Sequence, residues 1–184
     1  MERIAKFEKV SFTQFKKDFS KNFNITDEKE IRKIYDGIVL PKRSTKGSAG
    51  YDFTIPSPIT LKPGETIIIP TGIRCRINDG WSLWLMPRSG LGFKYRVQLD
   101  NTIGLIDADY YGSDNEGHIM AKVTNDGHEG KEAPLTDRFC QGVFLPFGIT
   151  EDDEADGVRN GGMGSTDNKS QLGGFYGSIN PYRS

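Results

Sequence analysis

Long apolar runs, an excess of either charge and a density of cysteine are all missing from this sequence, and each absence removes a class of protein. Nowhere do about 18 apolar residues run together, the length a transmembrane helix needs. The start, Met1-Glu2-Arg3-Ile4-Ala5-Lys6, passes into charge-rich sequence with no apolar signal region. The expectation is a cytoplasmic protein without membrane attachment. With 24 basic and 25 acidic residues the formal net charge is -1, so no overall field draws the chain to polymeric nucleic acid or anionic lipid. The two cysteines, Cys75 and Cys140, sit in apolar stretches without metal spacing and are expected to be reduced core residues. His118 and His128 stand apart from other metal-ligating residues, which argues against a zinc site. The P-loop, the dinucleotide fingerprint and the Gly-x-Ser-x-Gly elbow are absent, and Cys140 has no evident His partner. Nucleophilic catalysis by a side chain therefore has no support.

At 184 residues the chain suits one domain with a small appendage, enough to bury roughly 70% of its unfolded surface. Residues 1–36 have helical spacing: Phe12, Phe15, Phe19 and Phe23 form an apolar stripe, and Ser11 with Gln14 three positions on suggests a capping box. A second short helix is expected from Asp27, as cap, through Ile31, Ile34 and Tyr35 to Gly37. Such stripes are packing faces, so this extension is expected to lie on the main domain or on a neighbouring subunit. Residues 37–150 change to short strands with turns. Thr66 to Ile69, the alternation of Ile73, Cys75 and Ile77, and that of Trp81, Leu83 and Leu85 have the two-residue period of half-buried strands. Further strands are expected at Leu105-Ile106, at Ile119, Ala121 and Val123, and at Gly142 to Phe147. This is the pattern of an all-β barrel or jelly roll. Residues 151–184, rich in Gly, Asn, Ser and Asp, are expected to be a flexible arm.

Three segments carry possible chemistry. Pro87-Arg88-Ser89-Gly90-Leu91-Gly92 joins a cation, a hydroxyl and close glycines after a strand, which suits phosphate oxygens but equally an ordinary turn. Gly104-Leu105-Ile106-Asp107-Ala108-Asp109-Tyr110-Tyr111-Gly112 runs from apolar residues into two carboxylates, which on an unbent strand share a face or are simply solvated. Arg159-Asn160-Gly161-Gly162-Met163-Gly164-Ser165-Thr166 has the composition of a lid over an anion, or of a linker.

In this order, and joined by Ser48-Ala49-Gly50-Tyr51-Asp52-Phe53 and Arg138-Phe139-Cys140-Gln141, these segments resemble the five motifs of the trimeric all-β dUTPases (deoxyuridine triphosphatases). The third motif matches Asn101 to Gly112, and the set spans residues 48 to 166. The resemblance implies a jelly-roll-like dUTPase β-barrel that forms a homotrimer, each active site drawing on all three subunits. It implies hydrolysis of dUTP to dUMP and pyrophosphate, which keeps uracil out of DNA and supplies dUMP for dTMP synthesis. Asp107 would be the general base, directing a water at the α-phosphorus, a task a carboxylate suits at neutral pH. Tyr110 would pack on the deoxyribose where a 2′-hydroxyl would clash, and Asn101, on the strand-turn element that includes Gly104, would read the uracil edge. Mg²⁺ would bridge the phosphates with its water shell held partly by Asp52. Ser89 and Gly90 would cradle phosphate oxygens, Arg88 would support the assembled site, and Gln141 would lie near the α-phosphate. In the arm, Arg159 would grip the γ-phosphate, with Gly164, Ser165 and Thr166 along the phosphates.

The pattern departs from the family at Met163, where an aromatic residue usually stacks on uracil; a thioether can still cover the base. Phe175, in a stretch that partly echoes the fifth motif, is a candidate for the missing ring. Two other readings share the residues: a dCTP deaminase or bifunctional relative, and a nucleotide sensor acting on an unknown protein partner. The first looks for a catalytic Glu and a Ser-Ser-x-x-Arg motif where this chain has Pro87-Arg88-Ser89-Gly90.

Overall fold

Residues 2–127, 130–157 and Arg159 are described by a computed structural model of the chain. Strand β1 (Ala5–Lys9) is followed by helices α1 (Phe12–Phe23) and α2 (Glu28–Asp36). Strands β2 (Lys42–Arg43), β3 (Tyr51–Thr54), β4 (Ile59–Leu61), β5 (Thr66–Pro70), β6 (Ile73–Ile77) and β7 (Trp81–Pro87) lead to helix α3 (Ser89–Tyr95). Then come β8 (Val97–Leu99), β9 (Gly104–Ile106), a 3-10 turn (Ala108–Gly112), β10 (Met120–Asn125), β11 (Ala133–Leu135) and β12 (Arg138–Pro146).

The all-β, jelly-roll-like architecture expected from the sequence is present. Its antiparallel strands form four sheets, β2-β3-β12-β7-β9, β5-β10-β8, β4-β11 and β1-β6, which among the described residues wrap one core without closing into a hydrogen-bonded barrel. Apolar members of each alternation face inward: Ile73, Cys75 and Ile77 are buried while Arg76 is exposed. The two cysteines are free and buried, and burial pushes the Cys75 thiol up to about 12 and raises that of Cys140 as well. No helix among the described residues is long and apolar enough to cross a membrane.

The N-terminal segment has one element its helical spacing hides. Ala5–Lys9 is a strand, paired antiparallel with β6 from Ala5 opposite Ile77 to Lys9 opposite Ile73. Lys6, Glu8 and Lys9 mask its short alternation, and the partner edge of β6 supplies the ordering. The stripe on α1 packs as expected, with Phe15 and Phe19 fully buried beside Val10 and Ile31 and successive rings stacked at 5.0 and 4.4 Å. Ser11 Oγ accepts from the Gln14 N–H, but the box is not reciprocal: Ser11 N–H donates to Glu116 and Gln14 Nε2 donates to Asp18. Asp27 caps α2 by accepting from the N–H groups of Lys29 and Glu30.

Candidate active site

One cluster is built where β3, β12 and β7 lie side by side. Gln141 stands opposite both Asp52 and Met86, so Asp52 and Gln141 share the face turned away from the core. Arg138 joins them through a bulge: it stands opposite Thr54 while Cys140 stands opposite Phe53, leaving Phe139 extra. In a strand without the bulge the period of two would send Arg138 and Gln141, three positions apart, to opposite faces. Asp52 is the hub. Its Oδ1 forms an ion pair with Arg88 Nε at 3.1 Å, and its Oδ2 accepts from Arg138 Nη1 at 3.1 Å and Ser44 Oγ at 2.9 Å. That carboxylate raises the affinity of Arg138 for its proton by hydrogen bond and by charge, and fixes two guanidinium groups side by side. A Cβ at Gly50 would lie 2.8 Å from Gln141 Oε1, so a side chain there would displace the Gln141 amide.

After β7 the chain enters α3 with Arg88 in extended geometry, and among the described residues no side chain caps its opening turn. The sequence segment expected to be a loop is thus the first turn of a helix. Arg88, Ser89, Gly90, Lys94 and Arg138 line a cleft of about 420 Å³ beside it. A larger cavity of about 640 Å³ lies at Arg3, Arg43, Tyr51, Trp81 and Phe144; of the motifs it has only Ser48, Ala49 and Tyr51, and none of the charged motif residues.

A second cluster forms where β9 ends. Asp107 leaves the strand and precedes the 3-10 turn, so Asp107 and Asp109 are not on one straight strand; the bend intervenes. One cation joins them nevertheless: Arg159 Nη1 donates to Asp107 Oδ2 at 2.9 Å and to Asp109 Oδ1 at 3.3 Å. The same guanidinium lies 5.1 Å from the centre of the Tyr110 ring. Tyr110 is buried, and its hydroxyl donates to the His118 carbonyl at 2.8 Å. Asn101 is exposed on the β8–β9 turn, where Thr102 has φ 64, and Gly104 is buried with Leu85 close enough that a Cβ would lie 3.2 Å away.

The two clusters lie apart in the chain. Leu83 pairs with Ile106, which puts Asp107 near the Ser82 end of β7, while Asp52, Gln141 and Arg88 gather at its Pro87 end. At roughly 3.3 Å per residue, Ser82 to Pro87 spans about 17 Å. Met163, Gly164, Ser165, Thr166 and Phe175 lie outside the described residues.

A sequence model of the dUTPase family matches residues 36–167. The chain belongs to the dUTPase family. It is 41% identical over 133 residues to the deoxyuridine 5′-triphosphate nucleotidohydrolase of Lactococcus lactis, covering 71% of this chain and 89% of that one. Against the same enzyme of Hahella chejuensis it is 38% identical over 146 residues, covering 75% and 93%. Among solved structures, the dUTPase from Streptococcus mutans superposes with a TM-score of 0.58 at 31% identity, covering 79% of this chain and 98% of that chain. A dUTPase variant of phage phi11 of S. aureus, 19% identical with a TM-score of 0.57 over 84% of this chain and 98% of that chain, shares the fold; its structure shows coordination of a structural Mg(II) ion.

Membership sets this enzyme apart from the deaminase alternative. Three features of the dUTPase site escaped the sequence. Arg138 and Ser44 hold Asp52, Asp109 shares Arg159, and His118, isolated in sequence, supports Tyr110. Arg138 left a trace as the first residue of the fourth motif, and Asp109 as the second carboxylate of the third.

Proposed function

We propose that this chain hydrolyses dUTP to dUMP and pyrophosphate as a homotrimer whose active sites are shared between subunits. The carrying observation is the separation of the described motif residues into two groups at opposite ends of β7. One half has the Asp107 carboxylate beside an aromatic platform; the other has two guanidiniums, with Asp52 held between them, at the start of α3. Each supplies what the other lacks, so a site is complete when the Asp107 end of one subunit faces the Asp52 end of another.

Asp107 activates and aims a water at the α-phosphorus. Tyr110 forms the platform for the deoxyribose, and Asn101 with the β8–β9 turn reads the base. Arg88, Ser89, Gly90 and Gln141 hold the phosphates and stabilise charge moving onto the leaving pyrophosphate. Arg159 is displaced from Asp107 and Asp109, whose side chains are 45% and 59% exposed and so hold it weakly, and passes to the more densely charged triphosphate. That transfer frees the base and uncovers Tyr110 in one motion. Gly164, Ser165 and Thr166 follow Arg159 along the phosphates, and Met163 covers uracil.

The residues present fit Mg²⁺. No group of three or more His, Cys, Asp or Glu able to hold a metal occurs among the described residues, but Mg²⁺ bound to a polyphosphate needs only one or two carboxylates and water. Asp52 Oδ1 faces one guanidinium donor, Arg88 Nε, and keeps a lone pair for a water of the metal's shell. When bound, the ion neutralises phosphate charge and orients the triphosphate.

The test is pyrophosphate release from dUTP with Mg²⁺, run beside UTP, dTTP and dCTP, with ammonia assayed in the dCTP sample. Turnover confined to dUTP is expected. Ammonia from dCTP, or silence with dUTP, would reject the assignment.

A further inference from the structure

Tyr110 is held by a network that runs out of the active site into the N-terminal extension. Its hydroxyl donates to the His118 carbonyl and accepts from Asn115 Nδ2, both at 2.8 Å. Ser113 Oγ donates to the Tyr110 carbonyl at 2.7 Å and bonds Asn115 Oδ1 at 2.8 Å. The loop between Ser113 and His118 therefore folds back tightly on the tyrosines. At Gly117, with φ 68, a Cβ would lie 2.7 Å from Tyr111 Cα and 2.8 Å from the Tyr110 carbonyl oxygen, so no side chain is tolerated there.

This loop is in turn clasped by α1 at two points. His118 is fully buried and both of its ring nitrogens are committed: Nε2 accepts from the Gly72 N–H at 2.8 Å, which leaves the proton on Nδ1, donated to Asp18 Oδ2 at 2.5 Å. At the start of the helix, Ser11 donates its N–H and its hydroxyl to Glu116, at 2.7 and 2.6 Å. Ser11 and Asp18 lie outside residues 36–167, the span matched by the family, whereas Glu116, His118 and Tyr110 lie inside it.

We infer that the extension braces Tyr110, with Asp18 and His118 as positioning residues that hold the ring rigid against the sugar and so sharpen rejection of ribonucleotides. The physical reason is that a platform excludes a 2′-hydroxyl only if it cannot retreat. A ring whose hydroxyl is anchored to a backbone carbonyl, itself fixed through an imidazole pinned on both sides, has nowhere to go. Asp18 touches no substrate and acts through His118 and the loop.

The inference rests on the dUTPase reading and is tested by kcat and KM for dUTP and UTP in the full-length wild type and in Asp18→Ala, Asp18→Asn, Tyr110→Phe and the Asp18→Ala/Tyr110→Phe double variant. Asp18→Ala is expected to lower the dUTP/UTP ratio of kcat/KM about tenfold, within the range of coupled neighbours, mainly through easier use of UTP. Asp18→Asn, which keeps an acceptor for Nδ1, is expected to restore most of it. The double variant is expected to be no less selective than Tyr110→Phe alone, because both changes act on one anchor. A folded Asp18→Ala enzyme with the wild-type ratio, or effects that multiply in the double variant, would overturn the brace. Should Asp18→Ala not fold, Glu116→Ala removes the second clasp at the surface; a shift in the same direction supports the brace and an unchanged ratio rejects it. Wild type silent toward dUTP would instead sink the underlying dUTPase reading and this inference with it.

Discussion

The N-terminal extension and the sheet body are ordered over very different lengths of chain. The small core of Val10, Phe15, Phe19 and Ile31 is drawn from neighbours in sequence, on two helices whose caps, Ser11 and Asp27, lie one residue before them. The main core joins Phe53, Ile69, Leu83, Ile106, Val123 and Phe139 across most of the chain, through strands as short as three residues. A helix makes its own backbone hydrogen bonds, whereas a three-residue strand has none until a partner arrives. The extension has local order of its own, while the two candidate-site clusters exist only once distant strands are in register.

The largest effect expected separates chemistry from that framework. Asp107→Asn should lower kcat by at least about 100-fold while dUTP still binds, because a positioned general base contributes about 10² to 10⁴. Turnover near the wild-type rate, measured by pyrophosphate release, would remove Asp107 from that role. Next in size, Phe15→Ala should cost about 3–5 kcal/mol in the extension, since the ring is fully buried, stacked on Phe19 and packed at a tilt against Tyr35. Hydrogen exchange by residue would show protection lost first from α1 and α2. Loss spread evenly over β7 and β12 would erase the distinction between the two regions.

The smallest effect concerns the clasp that joins them. Burial raises the pKa of Asp18, but hydrogen bonds from His118 and Gln14 outweigh it and hold the carboxyl below its ordinary 3.8. Burial likewise acts on Glu116, and the Ser11 hydroxyl and N–H bring it below 4.5. A depressed pKa contributes stability that is fully present above the unfolded value and is lost as pH falls through the folded one. Exchange protection of α1 should therefore be flat from about pH 6 to 8 and decline below about pH 4. A decline confined to neutral pH would show that other groups control the junction.

Particular residues show how much of this could be read in advance. The caps at Ser11 and Asp27, the phenylalanine stripe and the alternations in β6 and β7 were all legible, because a side chain's periodicity or its reach to a nearby N–H is a local property. Strand β1 was not, since five residues with charged alternates carry no signal without the β6 edge. At the site, Asp52, Asp107 and Gln141 were named by motif, but the arginines that seize Asp52 were not assigned to it. Nor could isolated His118 be given its partner, which lies 100 residues away.

What the sequence determined by itself is the family, the residue types available for the chemistry, and the local elements that carry them. Tertiary structure alone decided that the extra residue at Phe139 turns Arg138 toward Asp52. It decided too that Asp107 and Asp52 part to opposite ends of β7, and that α1 reaches the loop behind Tyr110. Those outcomes depend on register and on contacts between segments far apart in the chain. A one-residue change in pairing reverses every side chain's face, and no window of neighbouring residues records which register wins.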